Sequence, residues 1–353
     1  MSKMELPEIF HTIFVPNRKC ITNADLDGIL AGMLLQKFLN WEIVGYSYCA
    51  GTKKDTLWLK NKDENLEDCV FVDLPVCMKE YSVIDQHFVA RNNTSIQKYN
   101  AHKNKVNPNI MRGRVLEKDR DYNNKYPFGT AHFILAVLEN LGKTDASFEL
   151  DLSKKSPGCD FDLADLILRA DGAIDNANKY PDNCKDWAEW LIFIGGKNTE
   201  ALFSIVKREA ETEINRREAV RAEAKAETDP GRKAEINARI RHKSETERTG
   251  REKAQRKAEV KFAEIGKLEK DGGCEQIFRE KDKERLKKYL DYLGTETGLP
   301  VLEAADFYEY GNLTGERYNI VREKCSGLKA GEKYFSYAYV TKEDFSYTKM
   351  INC

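Results

Sequence analysis

The sequence predicts an α/β protein with a mostly parallel sheet at its N-terminal end, then a long charged helical hairpin and a small α+β unit. Three observations predict it. Apolar runs of strand length, Cys20-Ile21, Cys69-Val70-Phe71-Val72 and Tyr81-Ser82-Val83-Ile84, alternate with helical periods over residues 1–180, as in a sheet covered on both faces. Each run ends in polar or acidic residues: Asn23-Ala24-Asp25-Leu26-Asp27, Asp73, and Asp85-Gln86-His87. A carboxylate just past the last buried residue of a strand lies at the sheet edge, where it can ligate a cation instead of being desolvated alone. Finally, composition shifts to Lys, Arg, Glu and Ala at about Lys207. The expected units are therefore residues 1–200, a charged arm at 201–270, and a C-terminal unit at 271–353.

Asp25-Leu26-Asp27-Gly28 stands between a strand and a helix, where open α/β sheets build sites. Asp25 and Asp27 can reach one hard divalent cation or two neighbouring ones, and Gly28 lets the backbone turn tightly into the helix. Ordinary turns and calcium loops share the pattern. Gly28 to Asn40 reads as the first helix, with Ile29, Leu30, Met33, Leu34 and Phe38 on its buried face. Glu42 to Tyr46 reads as a strand, and Asp55 to Asn61 as a short helix carrying Leu57 and Leu59.

The polar stretch from Val89 to Tyr122 is either a lid or a flexible excursion. Lys103, Lys105, Arg112 and Arg114 in it are candidates to hold substrate phosphates. His102 is a phosphate contact or an ordinary surface residue. His132 lies one turn into an apolar helix and reads as a packed core histidine rather than a ligand. His11 and His242 have no informative context. Leu163 to Ala170 reads as a helix presenting Asp171, with Asp175 as a competitor, and Trp187, Trp190, Leu191, Ile192 and Phe193 close the domain.

Through Leu268 the arm favours helix but has little to bury. Asp229-Pro230-Gly231 breaks it, so two long helices projecting as a hairpin are expected. From Lys207 to Leu290 there are about six more basic than acidic residues. Such an arm is either solvated and laced by i,i+4 ion pairs or laid along a nucleic-acid backbone or another subunit. A helix over Glu280 to Leu293 and a hairpin joining Tyr334–Val340 to Phe345-Ser346-Tyr347 complete the chain.

The formal net charge of -1 over 353 residues argues against a globally basic nucleic-acid binder. Nine cysteines without CxxC spacing suggest neither a zinc ribbon nor a disulfide scaffold, but thiols in a reducing compartment. No basic-then-apolar leader opens the sequence and no apolar run approaches a membrane span, so a soluble cytoplasmic protein is expected.

The ordered motifs resemble those of the DHH phosphoesterases, named for an Asp-His-His motif, over about residues 15 to 180. The stretch near Lys125 to Gly142 is most similar to the RecJ-type exonuclease branch. Asn-Ala-Asp-Leu-Asp-Gly at 23–28 matches the first motif, Asp73 the second, and Val83-Ile84-Asp85-Gln86-His87 the third. Val106-Asn107-Pro108-Asn109 matches the following Asn-Pro loop, Tyr126-Pro127-Phe128-Gly129-Thr130-Ala131-His132 the glycine-rich helix start, and Ala170-Asp171 the fourth motif, which favours Asp171 over Asp175. Two departures stand out: Ile21 and Asn23 occupy the places of an upstream ligand, and Gln86 replaces the middle His with a neutral, weaker ligand. The family's Gly-Gly-His substrate motif is absent.

The resemblance implies two Mn2+ or Mg2+ ions, the second held by the weaker set, and hydrolysis of phosphodiester bonds in a nucleic acid, oligonucleotide or nucleotide. Asp73 would bridge the ions, Asp25 would hold one, and Asp27, His87 and Asp171 would gather around the other or the substrate phosphate, with Gln86 in the place of a family metal ligand. Asp85 and His87 would be catalytic, with His87 on the substrate phosphate. Asn23, Asn107, Gly129 and Thr130 would line the substrate beside His102, Arg112 and Arg114. Single-stranded nucleic acid is the expected partner, with no membrane. The alternative is an impaired scaffold or nucleotide-binding protein.

Overall fold

Alternation of apolar residues builds the centre of the structure, a computed structural model that describes residues 4–47, 55–90, 92–115, 124–154, 163–241, 291, 294–300, 308–319, 334–339 and 344–350. The strands are β1 (Lys19–Asn23), β2 (Glu42–Ser47), β3 (Asp55–Leu59), β4 (Cys69–Val72), β5 (Ser82–Ile84), β6 (Lys105–Val106), β7 (Tyr308–Asn319), β8 (Ser336–Tyr339) and β9 (Asp344–Met350). They form one sheet in the order β6-β5-β4-β1-β2-β3-β7-β9-β8. The pairs from β6 to β2 are parallel and those from β2 to β8 antiparallel. The fold is thus mixed α/β with a mostly parallel N-terminal sheet.

Cys20, Val70, Val72, Ile84 and Val106 point to one face, and Ile21, Cys69, Phe71 and Val83 to the other. Burial on both faces is why these strands read as continuous apolar runs. On the first face lie α2 (Leu26–Leu39), α5 (Thr130–Asn140), α8 (Pro181–Ile194) and α9 (Lys197–Ala226). Phe335, just ahead of β8, packs edge-on against Phe71 on the second face, at a ring separation of 5.6 Å. The remaining helices are α1 (Glu8–Ile13), α3 (Asn93–Ala101), α4 (Pro108–Met111), α6 (Leu163–Ile167), α7 (Ala173–Lys179) and α10 (Pro230–Arg241).

Several expectations change. Asp55 to Asn61 is not a helix: Leu57 and Leu59 alternate onto one face of β3, which pairs with β2 on one side and β7 on the other. A strand delivered from the far end of the chain outweighs local propensity there. Val89 to Tyr122 is neither a lid nor an excursion in its described part: it supplies α3, the edge strand β6 and α4, with Tyr99 stacked on Phe88 at 4.9 Å. The first helix starts at Leu26, two residues ahead of Gly28, because Asp25 caps it.

The charged arm begins at Lys197, and its first half lies on the body through Leu202, Phe203, Val206 and Ala210, against α7 and α8. Its N-terminus is anchored by the buried Glu139, whose carboxylate accepts the N–H groups of Gly196 (2.8 Å), Asn198 (2.9 Å) and Thr199 (3.1 Å). The break falls as expected, with α9 ending at Ala226 and α10 starting at Pro230. Residues 242–290 lie outside the description, and with them nearly all of the helix expected over Glu280 to Leu293. The C-terminal hairpin forms with Tyr337 opposite Tyr347, and through β7 and β9 it continues the main sheet. Among the described residues no helix is long and apolar enough to cross a membrane.

Candidate metal centre

Parallel pairing puts the carboxyl ends of β1, β4, β5 and β6 at one edge of the sheet. The chain leaves β1 for β2 on one side, whereas β4 leads to β5 on the other. The gap between β1 and β4 is therefore the switch point at which open α/β sheets bind ligands. Asn23 ends β1 and Asp73 follows β4, so the two flank that gap. Asn23 Nδ2 spans it, donating to Asp25 Oδ2 (2.8 Å) and Asp73 Oδ2 (3.3 Å). Gly28 is required where the chain turns into α2, since a Cβ there would lie 2.8 Å from Asn23 Cβ.

Asp85, past β5, takes His87 Nδ1 at 2.7 Å on one oxygen and the Phe88 N–H at 3.0 Å on the other. That bond leaves His87 Nε2 facing Asp171 Oδ2 at 3.9 Å, with Nδ1 3.7 Å from Asp73 Oδ1. Asp73, His87 and Asp171 thus each offer a ligand atom within 4.8 Å of the others. Asp73 is buried whereas His87 and Asp171 are 30% exposed, so the group opens to solvent on their side. Two of its members have left-handed backbones, Asp73 at φ 61 and Asp171 at φ 50. Such conformations persist only where surrounding bonds hold them: the Asp73 N–H donates to Ile84 O (2.9 Å) and Asn176 Nδ2 donates to Asp171 O (3.1 Å).

Negative charge is in excess. Burial, followed by repulsion from Asp171, pushes Asp25 up to about 6. Burial with Asp171 and Asp25 raises Asp27 well above the usual carboxylate range, and burial with Asp27 and Asp25 does the same to Asp73. Burial raises Asp171 despite the opposing charges of His87 and Lys125. On His87, burial disfavours the cation, but Asp85, Asp171 and Asp25 together outweigh it and push the imidazole up to about 9. Four crowded carboxylates destabilised in their charged forms are relieved by a cation among them.

Other candidates are placed differently. Asp27 is engaged by the start of α5: Thr130 N donates to Oδ2 (2.6 Å) and Ala131 N to Oδ1 (3.0 Å). Gln86 stands beside Asp171 as a donor, Nε2 to Oδ2, rather than as a second ligand. Gly129 serves the protein itself, because a Cβ there would lie 2.6 Å from Asp27 Cγ. Thr130 Oγ1 donates to Asp73 Oδ1 at 2.7 Å. Asn107 caps α4 through Oδ1, while its buried Nδ2 has no hydrogen-bond partner.

Arg112 and Arg114 are engaged outside the Asp73–His87–Asp171 group. Both pair with Asp186, at 2.9 and 2.6 Å, and stack over Trp187. Lys105 Nζ is buried on Val76 O (3.1 Å) and Met78 O (2.8 Å), Lys103 is exposed, and His102 caps the end of α3. His132 is a core residue: Nδ1 accepts the Gly129 N–H (3.1 Å) and Nε2 meets Ile167 O (3.1 Å). Asp175 faces Arg169 at 3.5 Å.

Asn109, which the sequence places in the Asn-Pro loop without a role, donates through Nδ2 to Gln86 O (2.8 Å) and accepts the Tyr126 N–H on Oδ1 (2.6 Å), tying Asp85-Gln86-His87 to the approach to α5. Compared with family models, curated proteins and solved structures, the chain matches none.

Proposed function

We propose that the chain is a metal-dependent phosphoesterase of the DHH type, hydrolysing phosphodiester bonds of a nucleic acid, oligonucleotide or nucleotide. One observation carries the reading: Asp73, His87 and Asp171 converge at the sheet's switch point with an uncompensated excess of carboxylates around them. Hard oxygen donors with one imidazole suit Mn2+ or Mg2+. Asp73, His87 and Asp171 would hold such an ion, which would supply Lewis-acid polarisation of a phosphoryl oxygen and lower the pKa of a water. Asp85 accepts the Nδ1–H of His87 and fixes its tautomer and orientation, as outer carboxylates do for ligating histidines. Asn23 and Thr130 hold Asp73 in place, and Asn176 holds the backbone of Asp171. The charged helices α9 and α10 offer a surface for single-stranded nucleic acid or another subunit.

The test is manganese-dependent release of mononucleotide from short single-stranded DNA and RNA, with bis(p-nitrophenyl) phosphate alongside, for wild type and Asp73→Ala. Activity in wild type that falls by roughly a hundredfold or more in Asp73→Ala is expected. Full activity in the variant, or none in either protein, refutes the reading. The donor role of Gln86 favours a second reading, a DHH-like scaffold or nucleotide-binding protein with an impaired site. A large gain of hydrolysis in Gln86→His would mark such a decayed enzyme.

A further inference from the structure

We infer that this site binds a single divalent cation, on Asp73, His87 and Asp171, and that Gln86 is a positioning residue that holds Asp171 for it. The inference rests on the metal-dependent reading proposed above and adds the stoichiometry and the reason for it. A second cation in the crevice needs donors beyond these three, and the candidates around them are committed within the protein: Asp25 takes the Gly28 N–H on Oδ1 (2.9 Å) and Asn23 Nδ2 on Oδ2 (2.8 Å), Asp85 takes His87 Nδ1 and the Phe88 N–H, and Asp27 and Gln86 are engaged as follows. Asp27 has both oxygens on backbone N–H groups at the start of α5, Thr130 N at 2.6 Å and Ala131 N at 3.0 Å. The two N–H groups and the positive end of that helix dipole offset only part of the burial cost of the carboxylate, and the same positive end disfavours a cation brought next to it. Gly129 adds a steric lock, because the Asp27 carboxylate lies so close to its Cα that a Cβ would be 2.8 Å from Oδ2.

Gln86 is committed in a different way. Its amide nitrogen donates to Asp171 Oδ2, so an N–H dipole with its positive end outward occupies the space beside that oxygen. The backbone on which Gln86 rides is fixed as well, since Asn109 Nδ2 donates to Gln86 O at 2.8 Å. Asp171 itself sits at φ 50 on a short turn and is 30% exposed, so it needs a side-chain partner to aim it at the crevice. Gln86 is that partner. Its neutrality makes it a poor ligand and a good support, because it adds no charge to an already crowded group of acids.

The experiment is manganese titration of the full chain by equilibrium dialysis with metal analysis, read in parallel by electron paramagnetic resonance at low temperature. One Mn2+ per chain with the spectrum of an isolated ion is expected. Two per chain with exchange-coupled spectra overturns the stoichiometry and leaves the proposed function standing. No bound manganese overturns both. Gln86→Leu is expected to weaken Mn2+ binding about tenfold or more and to broaden the manganese spectrum, while the metal-free protein melts as wild type does. Gln86→Asn, whose amide falls one methylene short of Asp171, is expected to do the same and serves if the leucine variant does not fold. Unchanged affinity and spectrum in these variants overturns the positioning role.

Discussion

Replacing Gly129 by alanine separates two physical accounts of the glycine by the sign of the effect. At φ -77 and ψ 158 its backbone suits any residue, so in open space the change would add about 0.4–1 kcal/mol of stability by restricting the unfolded chain. Space is what is missing. The new Cβ would stand 2.6 Å from Asp27 Cγ and 2.8 Å from Oδ2. Asp27 cannot swing away freely, being 1% exposed in the first turn of α2 and bonded to Thr130 N and Ala131 N. Relief requires breaking those two bonds, and orphaned buried donors cost about 1–3 kcal/mol each. The net expectation is a loss of about 2–4 kcal/mol. Gly142→Ala is the control, at φ 63 with nothing within 4 Å of the added carbon, where the backbone alone costs about 1–2 kcal/mol. Urea unfolding with linear extrapolation measures both. A Gly129→Ala protein as stable as wild type, or more so, would refute the close packing of Asp27 under α5.

Glu139→Ala leaves the N–H groups of Gly196, Asn198 and Thr199 without their acceptor at a site 5% exposed; about 3–5 kcal/mol should be lost, lowering the calorimetric Tm by roughly 10 °C. His132 is buried neutral, and desolvation lowers its pKa from 6.5 to about 4. Its contribution is therefore full above pH 6.5 and is lost as the pH falls towards 4, because the unfolded chain takes up the proton first. The loss is about 3 kcal/mol across that window, at ~1.4 kcal/mol per unit. His132→Gln can keep both hydrogen bonds without titrating, so its urea midpoint should fall less between pH 7 and 4 than that of wild type; parallel curves would contradict this. Arg112→Ala removes stacking over Trp187 at 4.4 Å and the pair with Asp186, and should cost about 1–2 kcal/mol. A raised KM at unchanged stability would instead place Arg112 on the substrate phosphate.

The local pattern was enough to find β1, β2, β4 and β5 and the residues that leave them. Cys69 to Val72 had to be a strand buried on both faces, which puts Asp73 at the sheet edge. The same reasoning located Asp25, Asp85 and His87, but not the cap by which Asp25 starts α2 two residues ahead of Gly28. It failed at β3, where Leu57-Trp58-Leu59 fits a short helix as well as a strand and pairing with β7, some 250 residues later, decides. It failed also over Val89 to Tyr122, where polar composition concealed an edge strand. The arm's charge was legible, but not that Leu202, Phe203 and Val206 fasten its first half to the body.

The site divides in the same way. Sequence alone determined that Asp25, Asp27, Asp73, Asp85 and His87 come to one edge, because that follows from the two-residue period of a strand and the place where burial ends; Asp171, on a turn after α6, was favoured over Asp175 only by the resemblance. Tertiary structure alone decided how each is used. Asp27 meets the start of α5 across 103 positions, Thr130 reaches Asp73 across 57, and Gln86 donates to Asp171 across 85. A carboxylate becomes a ligand or a tether according to which donor arrives first at its oxygens, and that depends on distances no local pattern encodes.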